Sequence, residues 1–448
     1  MFGVAAPGQS RGPVVLWSCG PVVPWSRSPV VLWALVALVC SFVLDAHAQE
    51  ALRESIAGEK AAAARRKAIE SQAYNLKLGP VSFALDSSMS FELNDNVNLA
   101  EADKQEDLIL RPLVSTRAFW LVTEKNALNL SVGVGYAKYL DHPAYDRFVV
   151  APGSELAFDL FVRDFRISLF DRFSYTQNPL GVGSLSGVAN YGALENTAGL
   201  NAAWDLFKVI LSAGYAHLNW LSSSGQFDYL NRSAELFNSR AAFSLHPALV
   251  AGVEGTGSLT EYDSSFLHNS SGYSAGVFAA WKLSPYLQVQ PRVGYVSYNF
   301  ERGGPVRPAA NPSTYYFSVN IDHILNEYFT HSIEGGREVR LGVYSDFEES
   351  YFLRHNATWK IIRDVGLGTQ LFYEHGTYPP SVFSDPAAPT VFLPGETFDR
   401  FGATVSLSYQ LMKKISANLA YRFTLKDSDS ILRDYAQNAL TMGLTYRF

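Results

Sequence analysis

The chain has 448 residues and a formal net charge of −6, with both signs scattered rather than gathered into stripes. No basic face offers itself to nucleic acid, so that class of partner is set aside. Hydrophobics are 48 % and aromatics 14 % of the residues, yet mean hydropathy is zero. That length fits two or three soluble domains or one large barrel.

Both cysteines, Cys19 and Cys40, fall in the N-terminal segment. There an apolar stretch from Pro29 to Leu44 follows Arg27 and precedes Ala46-His47-Ala48. A charged lead, an apolar core and an A-x-A site spell a secretory signal peptide over residues 1–48. Its long lead suggests that translation starts downstream of Met1, and Val39 before Cys40 argues against a lipoprotein. Beyond residue 48 the chain contains no cysteine, so its fold cannot rely on disulfides. After this region no apolar run reaches the ~18 residues of a membrane helix.

Residues 49–78 have a different texture. Ala51 to Ile56 and Lys60 to Glu70 are strong helix formers with few apolar anchors. The expectation is a short periplasmic helix. It is either a solvated tether or a docking helix or small plug that sets Arg65, Arg66 and Lys67 against an acidic partner.

From Val81 onward the chain alternates. Val81, Phe83, Leu85, Met89, Phe91 and Leu93 share one side of an extended chain, and Ser82, Ala84, Asp86, Ser88, Ser90 and Glu92 share the other. Lys414–Lys426 repeats the pattern most clearly, and Leu440 to Phe448 ends on it with Leu444, Tyr446 and Phe448 on the apolar side. Period two, with one apolar face and one small or polar face, suits a strand between lipid and water. Every second connection is tight, such as Arg163-Asp164, His246-Pro247 and Arg363-Asp364, and long Gly/Pro/Ser/Asp-rich segments lie between. Together these predict an all-β fold over residues 79–448: a transmembrane up-and-down antiparallel barrel of about eighteen strands, within a range of 16–18. The last strand must then pair with the first, because a lipid-embedded sheet can have no free edge.

Alternation projects a set of charges into the lumen: Arg111, Arg117, Arg172, Arg240, Arg292, Glu334, Arg340, Arg354, Arg400 and Arg422. These either brace the wall as arginine–carboxylate pairs or form a selectivity lining for an anionic solute. Three charged or polar residues, Asp171, His331 and Arg337, fall on the lipid side, and a bulge at Gly335-Gly336 would turn Arg337 inward. Two loops are candidates to constrict the pore, one from Tyr378 to Gly395 and one from Arg302 to Pro308. Gly181 to Gly187 reads as a flexible loop. No catalytic, cofactor-binding or metal-ligating constellation stands out, and the chain reads as a non-enzyme without a cofactor.

The signal peptide, the short helical lead and the strands ending in Tyr446-Arg447-Phe448 resemble the putative β-barrel porin type 2 group of bacterial outer-membrane proteins. Phe91-Glu92-Leu93-Asn94-Asp95-Asn96-Val97 and Gly443 to Phe448 carry the local resemblance. It implies a Gram-negative outer-membrane location. It also implies that Leu444, Tyr446 and Phe448 are read by the barrel-assembly machinery. Members are often associated with exopolysaccharide export, which implies periplasmic export proteins as partners and a sugar polymer as cargo. A passive porin for small solutes and a non-conducting structural or adhesion barrel stand as alternatives.

Overall fold

The computed structural model describes residues 49–70, 74–301, 306–307, 311–383 and 391–448. The expected signal peptide and its cysteines lie outside them.

Alternating β-rich segments zip into eighteen long strands. They are β1 (Val81–Asn94), β2 (Asp107–Leu121), β3 (Ala127–Tyr139), β4 (Arg147–Val162), β5 (Phe165–Gln177) and β6 (Gly192–Asp205). The wall continues with β7 (Val209–Ser222), β8 (Arg232–His246), β9 (Leu249–Tyr262), β10 (Ser270–Ser284), β11 (Leu287–Phe300) and β12 (Ser313–Ile324). It ends with β13 (Phe329–Leu341), β14 (Phe347–Ile362), β15 (Val365–Tyr378), β16 (Glu396–Met412), β17 (Ile415–Ser428) and β18 (Tyr435–Arg447). Each strand pairs antiparallel with the next, and β18 returns to β1 from Asp86↔Arg447 to Asn94↔Ala439. The sheet is therefore a closed barrel. Below this seam the short strand Leu76–Leu78 pairs with the start of β1, and Phe448 N–H donates to the Leu85 carbonyl at 3.1 Å.

The pleat sorts the side chains as the alternation requires. Outward positions are large and apolar and stay open to the surroundings, among them Leu353, Val277, Leu444 and Phe448. Rings gather near the tight-turn rim, where Phe165 stacks on Trp204 and Tyr446 meets Phe448 edge-on at 4.8 Å. Among the described residues no helix is long and apolar enough to cross a membrane.

Two of the lipid-side exceptions stay where strict alternation puts them. Asp171 remains outside and accepts a hydrogen bond from Asn196 Nδ2. The bulge expected at Gly335-Gly336 is not there: the register runs unbroken through Val319↔Gly335 and Ser318↔Gly336. Arg337 therefore shares the outer face with its register partners Phe317 and Tyr351.

Depth along a strand sets what an outward charge costs. Val277 is midway along β10 and Leu283 is next to its tight turn. Val277→Arg is expected to destabilise the barrel by ~2–4 kcal/mol and Leu283→Arg by ~0–1 kcal/mol. Equilibrium urea unfolding in lipid vesicles checks the difference, and equal effects would contradict the orientation of β10.

Candidate functional site

All ten lining residues foreseen from the alternation point inward, and the nine arginines each have a carboxylate partner. Arg111 meets Glu92 at 2.6 Å, and Arg422 approaches the same carboxylate at 3.5 Å. Arg117 pairs with Asp86 at 3.4 Å, Arg292 with Glu254 at 3.1 Å and Arg354 loosely with Glu334 at 3.7 Å. Arg340 bridges Glu348 and Glu374, the latter at 2.8 Å, and Arg400 closes on Glu374 from the other side. Arg172 and Arg240 bond carboxylates that do not belong to the wall alone.

Beside Glu155 of the wall, these are Glu54 and Glu59 of helix α1 (Gln49–Glu70). This helix, expected as a periplasmic tether or as a docking helix or small plug, runs through the lumen. Its first residues meet the long-loop end of the wall: Gln49 N–H donates to the Tyr298 hydroxyl at 3.3 Å, and Glu50 pairs with Arg232 at 3.1 Å. Midway, Glu54 pairs with Arg172, Arg53 with Glu338 at 3.1 Å and Glu59 with Arg240. Near the tight-turn end, Arg65 donates to both Glu155 oxygens at 2.8 Å and to Asp159 at 3.3 Å. The acidic partner foreseen for Arg65 is thus the barrel's own wall. The side chains of Arg66 and Lys67 lie outside the described residues.

The reason α1 sits here is electrostatic. Its sequence supplies Leu52 and Ile56 as its main apolar anchors and a run of small residues from Ala61 to Ala63, so apolar burial alone would not hold it. Its charges instead find complements all round. Burial raises the Glu54 carboxyl above its usual range, against the pull of Arg172. The fit leaves space on both flanks, a cavity of about 410 Å³ beside Arg65, Asn201 and Asn238 and another of about 270 Å³ beside Arg53 and Lys60.

A second insert enters from the loop end. The segment between β5 and β6, read from sequence as a flexible loop, crosses the lumen and is buried against the far wall. Leu185 and Ser184 are at most 1 % exposed. Arg400 donates to the Leu180 carbonyl at 2.6 Å, Ser184 Oγ donates to Glu348 at 2.9 Å, and Ser186 Oγ accepts from Lys426 at 3.1 Å. Lys426 itself pairs with Glu396 at 2.7 Å, both fully buried, and Arg433 reaches the same carboxylate at 2.8 Å. Gly183 is what allows the approach: a Cβ there would come within 2.7 Å of the Phe398 ring and 2.9 Å of Glu374. Burial pushes the Tyr191 hydroxyl at the end of this segment up to about 12.

The two segments expected to constrict the pore lie partly outside the described residues, at 302–305, 308–310 and 384–390. Their described backbone pairs Val306–Arg307 with Ser381–Phe383, which pairs in turn with Val391–Leu393, in a small sheet separate from the wall. The Gly181–Gly187 stretch is an insert that the structure carries into the lumen. Among the described residues no group of three or more His, Cys, Asp or Glu is placed to hold a metal.

An eighteen-strand wall closed on itself, apolar outside and charge-paired within, is that of an outer-membrane β-barrel porin. The chain belongs to the family described as Putative beta-barrel porin 2, whose model matches residues 77–303, just over half of the 448. A search of curated proteins finds no match. Among solved structures the chain is similar in fold to outer-membrane proteins of Pseudomonas aeruginosa. OpdK with vanillate is 10 % identical, with 82 % of this chain and 99 % of that one covered and a TM-score of 0.46. OccK2 (OpdF) is 12 % identical, covered at 83 % and 98 %, also with a TM-score of 0.46. OpdO is 13 % identical with the same coverage and score.

Removing one partner of a buried pair leaves the other charge uncompensated, at ~3–5 kcal/mol. Arg65→Ala strips Asp159, 18 % exposed, of its cation and leaves Glu155, 9 % exposed, with Arg172 alone. Amide exchange in α1 is expected to accelerate by about two orders of magnitude while strand amides keep their protection. Unchanged exchange in α1 would show that Arg65 does not hold it. Likewise Gly183→Val is expected to expel the Pro179–Val188 segment and expose Leu185 to proteolysis.

Proposed function

We propose that this porin is the outer-membrane channel of an exopolysaccharide export system, with its path occupied at rest by α1 and the segment between β5 and β6. The supporting observation is the composition of the insert. A barrel of eighteen strands encloses far more cross-section than one helix needs, and this lumen is filled by parts held through arginine–carboxylate pairs. Such pairs re-form with water and with one another at modest net cost. The inserts can therefore give way to a wide, hydroxyl-rich polymer and return behind it, which keeps the membrane sealed between transport events. The lining suits that cargo, since guanidinium and carboxamide groups offer planar donor pairs to sugar hydroxyls.

A passive porin needs a standing aqueous route, which the inserts oppose. A non-conducting barrel needs no lumen charge arranged to release them. Two observations support the proposed partners. α1 ends toward the tight-turn rim, where a periplasmic export protein would reach it, and Leu444, Tyr446 and Phe448 lie open at that rim for the assembly machinery.

Single-channel recording and secretion assays test the reading together. The wild type is expected to conduct weakly, and Arg65→Ala combined with Arg172→Ala to raise the open fraction about a hundredfold. A strain lacking the gene is expected to lose secreted polysaccharide and to regain it with the wild-type gene. A wide, steady pore in the wild type would contradict the resting plug. Normal secretion in the deleted strain would remove the polymer as cargo, whatever the conductance.

A further inference from the structure

Outside the sites already described, the wall has a place where two neighbouring strands part. The ladder between β12 and β13 stops at Phe317↔Arg337, although β12 begins at Ser313 and β13 runs on to Leu341. Four residues on each strand are left unpaired with each other at the long-loop end, while both strands remain paired on their other sides. In a lipid-facing wall every backbone group without a partner costs several kcal/mol. Side chains take over here. Arg337 donates to the Tyr315 carbonyl and to Thr314 Oγ1 at 2.9 Å, and α1 sends Gln49 Oε1 to accept the Val339 N–H.

Arg337 is the residue that alternation placed among lipid. It is only 6 % exposed, because the Tyr315 and Tyr351 rings flank its guanidinium at 4.6 and 5.6 Å and Glu349 pairs with it at 2.6 Å. Its Nε is buried without a hydrogen-bond partner. Behind the gap the lumen is apolar, where Val296, Tyr298, Tyr316, Val339 and Phe347 cluster with Leu52 of α1. The 270 Å³ cavity beside α1 lies at this place and takes its lining from both sides of the wall, with Phe317 and Arg337 from the outer face and Tyr316 and Arg354 from the inner. The inner lining sets the cations Arg53, Lys60, Arg292 and Arg354 against the carboxylates Glu334 and Glu338, and it leaves cationic charge over: Lys60 makes no ion pair among the described residues, and Arg354 holds Glu334 only at 3.7 Å.

We infer that the β12–β13 gap is a lateral portal, by which a single-chain amphiphile with an anionic head passes between the membrane and the lumen. The tail lies over Phe317, Tyr316, Leu52 and Ile56, and the head lies between Lys60 and Arg354. At rest Leu52 and Ile56 take the place of the tail.

The test uses the full chain in lipid nanodiscs and a palmitate analogue bearing a diazirine near its methyl end. After photolysis, adducts are mapped by mass spectrometry. Adducts are expected on Leu52 or Ile56 of α1, which bulk lipid outside the wall cannot reach, and excess palmitate is expected to suppress them. An alcohol of the same length lacks the charge and is expected to label α1 about tenfold less, the equivalent of one charge-assisted contact. Because residues 49–448 contain no cysteine, Ser313→Cys with Leu341→Cys, at the outer end of the gap, can be bridged by a short bismaleimide. Bridging is expected to abolish labelling of α1, whereas the unbridged variant labels like the wild type and so reports its fold. Adducts confined to outward residues all round the barrel, or α1 labelling unchanged by the bridge, would overturn the portal. Equal labelling by acid and alcohol would overturn the anionic head.

Discussion

Closure of the hydrogen-bonded sheet is the constraint from which the rest of this molecule follows. Hydrocarbon offers no partner to a backbone N–H or C=O, so a strand that enters the bilayer must be flanked on both sides. The return of β18 to β1 removes the last free edge, and it also fixes the pleat: with the register set, every second residue of all eighteen strands is assigned to lipid or to lumen. The apolar girdle and the charged interior are two results of that one assignment.

Inside, a second constraint takes over. Charges lining a narrow, partly desolvated lumen must be neutralised where they stand. The wall does this partly with itself, as in Glu374 between Arg340 and Arg400, and partly with the inserts, as in Arg172 and Arg240 with α1. Wall and inserts therefore share one electrostatic network. This is how an alanine-rich helix with few apolar anchors comes to be held in the middle of a barrel, while the glycine- and serine-rich segment adds Leu185 and Val188 to a buried apolar cluster.

The same division decides what the sequence could reveal. Strand identity was legible because it is local: Leu440, Met442, Leu444, Tyr446 and Phe448 announce their face without reference to any other part of the chain. The location of α1 was not, since its partners lie on strands 90 to 290 residues away in sequence and carry no periodic signal. Nor was the burial of Gly181–Gly187. Small residues mark a solvent loop and a segment squeezed against a filled wall equally well, and only the Phe398 ring beside Gly183 distinguishes them. Arg337 was flagged by breaking the alternation, but the remedy foreseen, a bulge, would have cost ladder bonds on both sides. The structure keeps the register and covers the charge with two tyrosines instead.

α1 also sets the way in which the lumen can clear. A helix of 22 residues with so little apolar surface is marginal on its own in water, where nucleation is costly and propagation barely favourable. Its helical state in the barrel is thus maintained by the wall charges along its length. Breaking those pairs releases the helix and removes the support for its being helical, so undocking and melting are coupled into one transition. Such a transition is cooperative: losing Arg65 at the tight-turn end weakens the hold on Gln49 at the other, where the Val339 N–H depends on it. α1 and the β12–β13 gap are therefore coupled through a single element, and anything that pulls on the tight-turn end of α1 also acts on the wall.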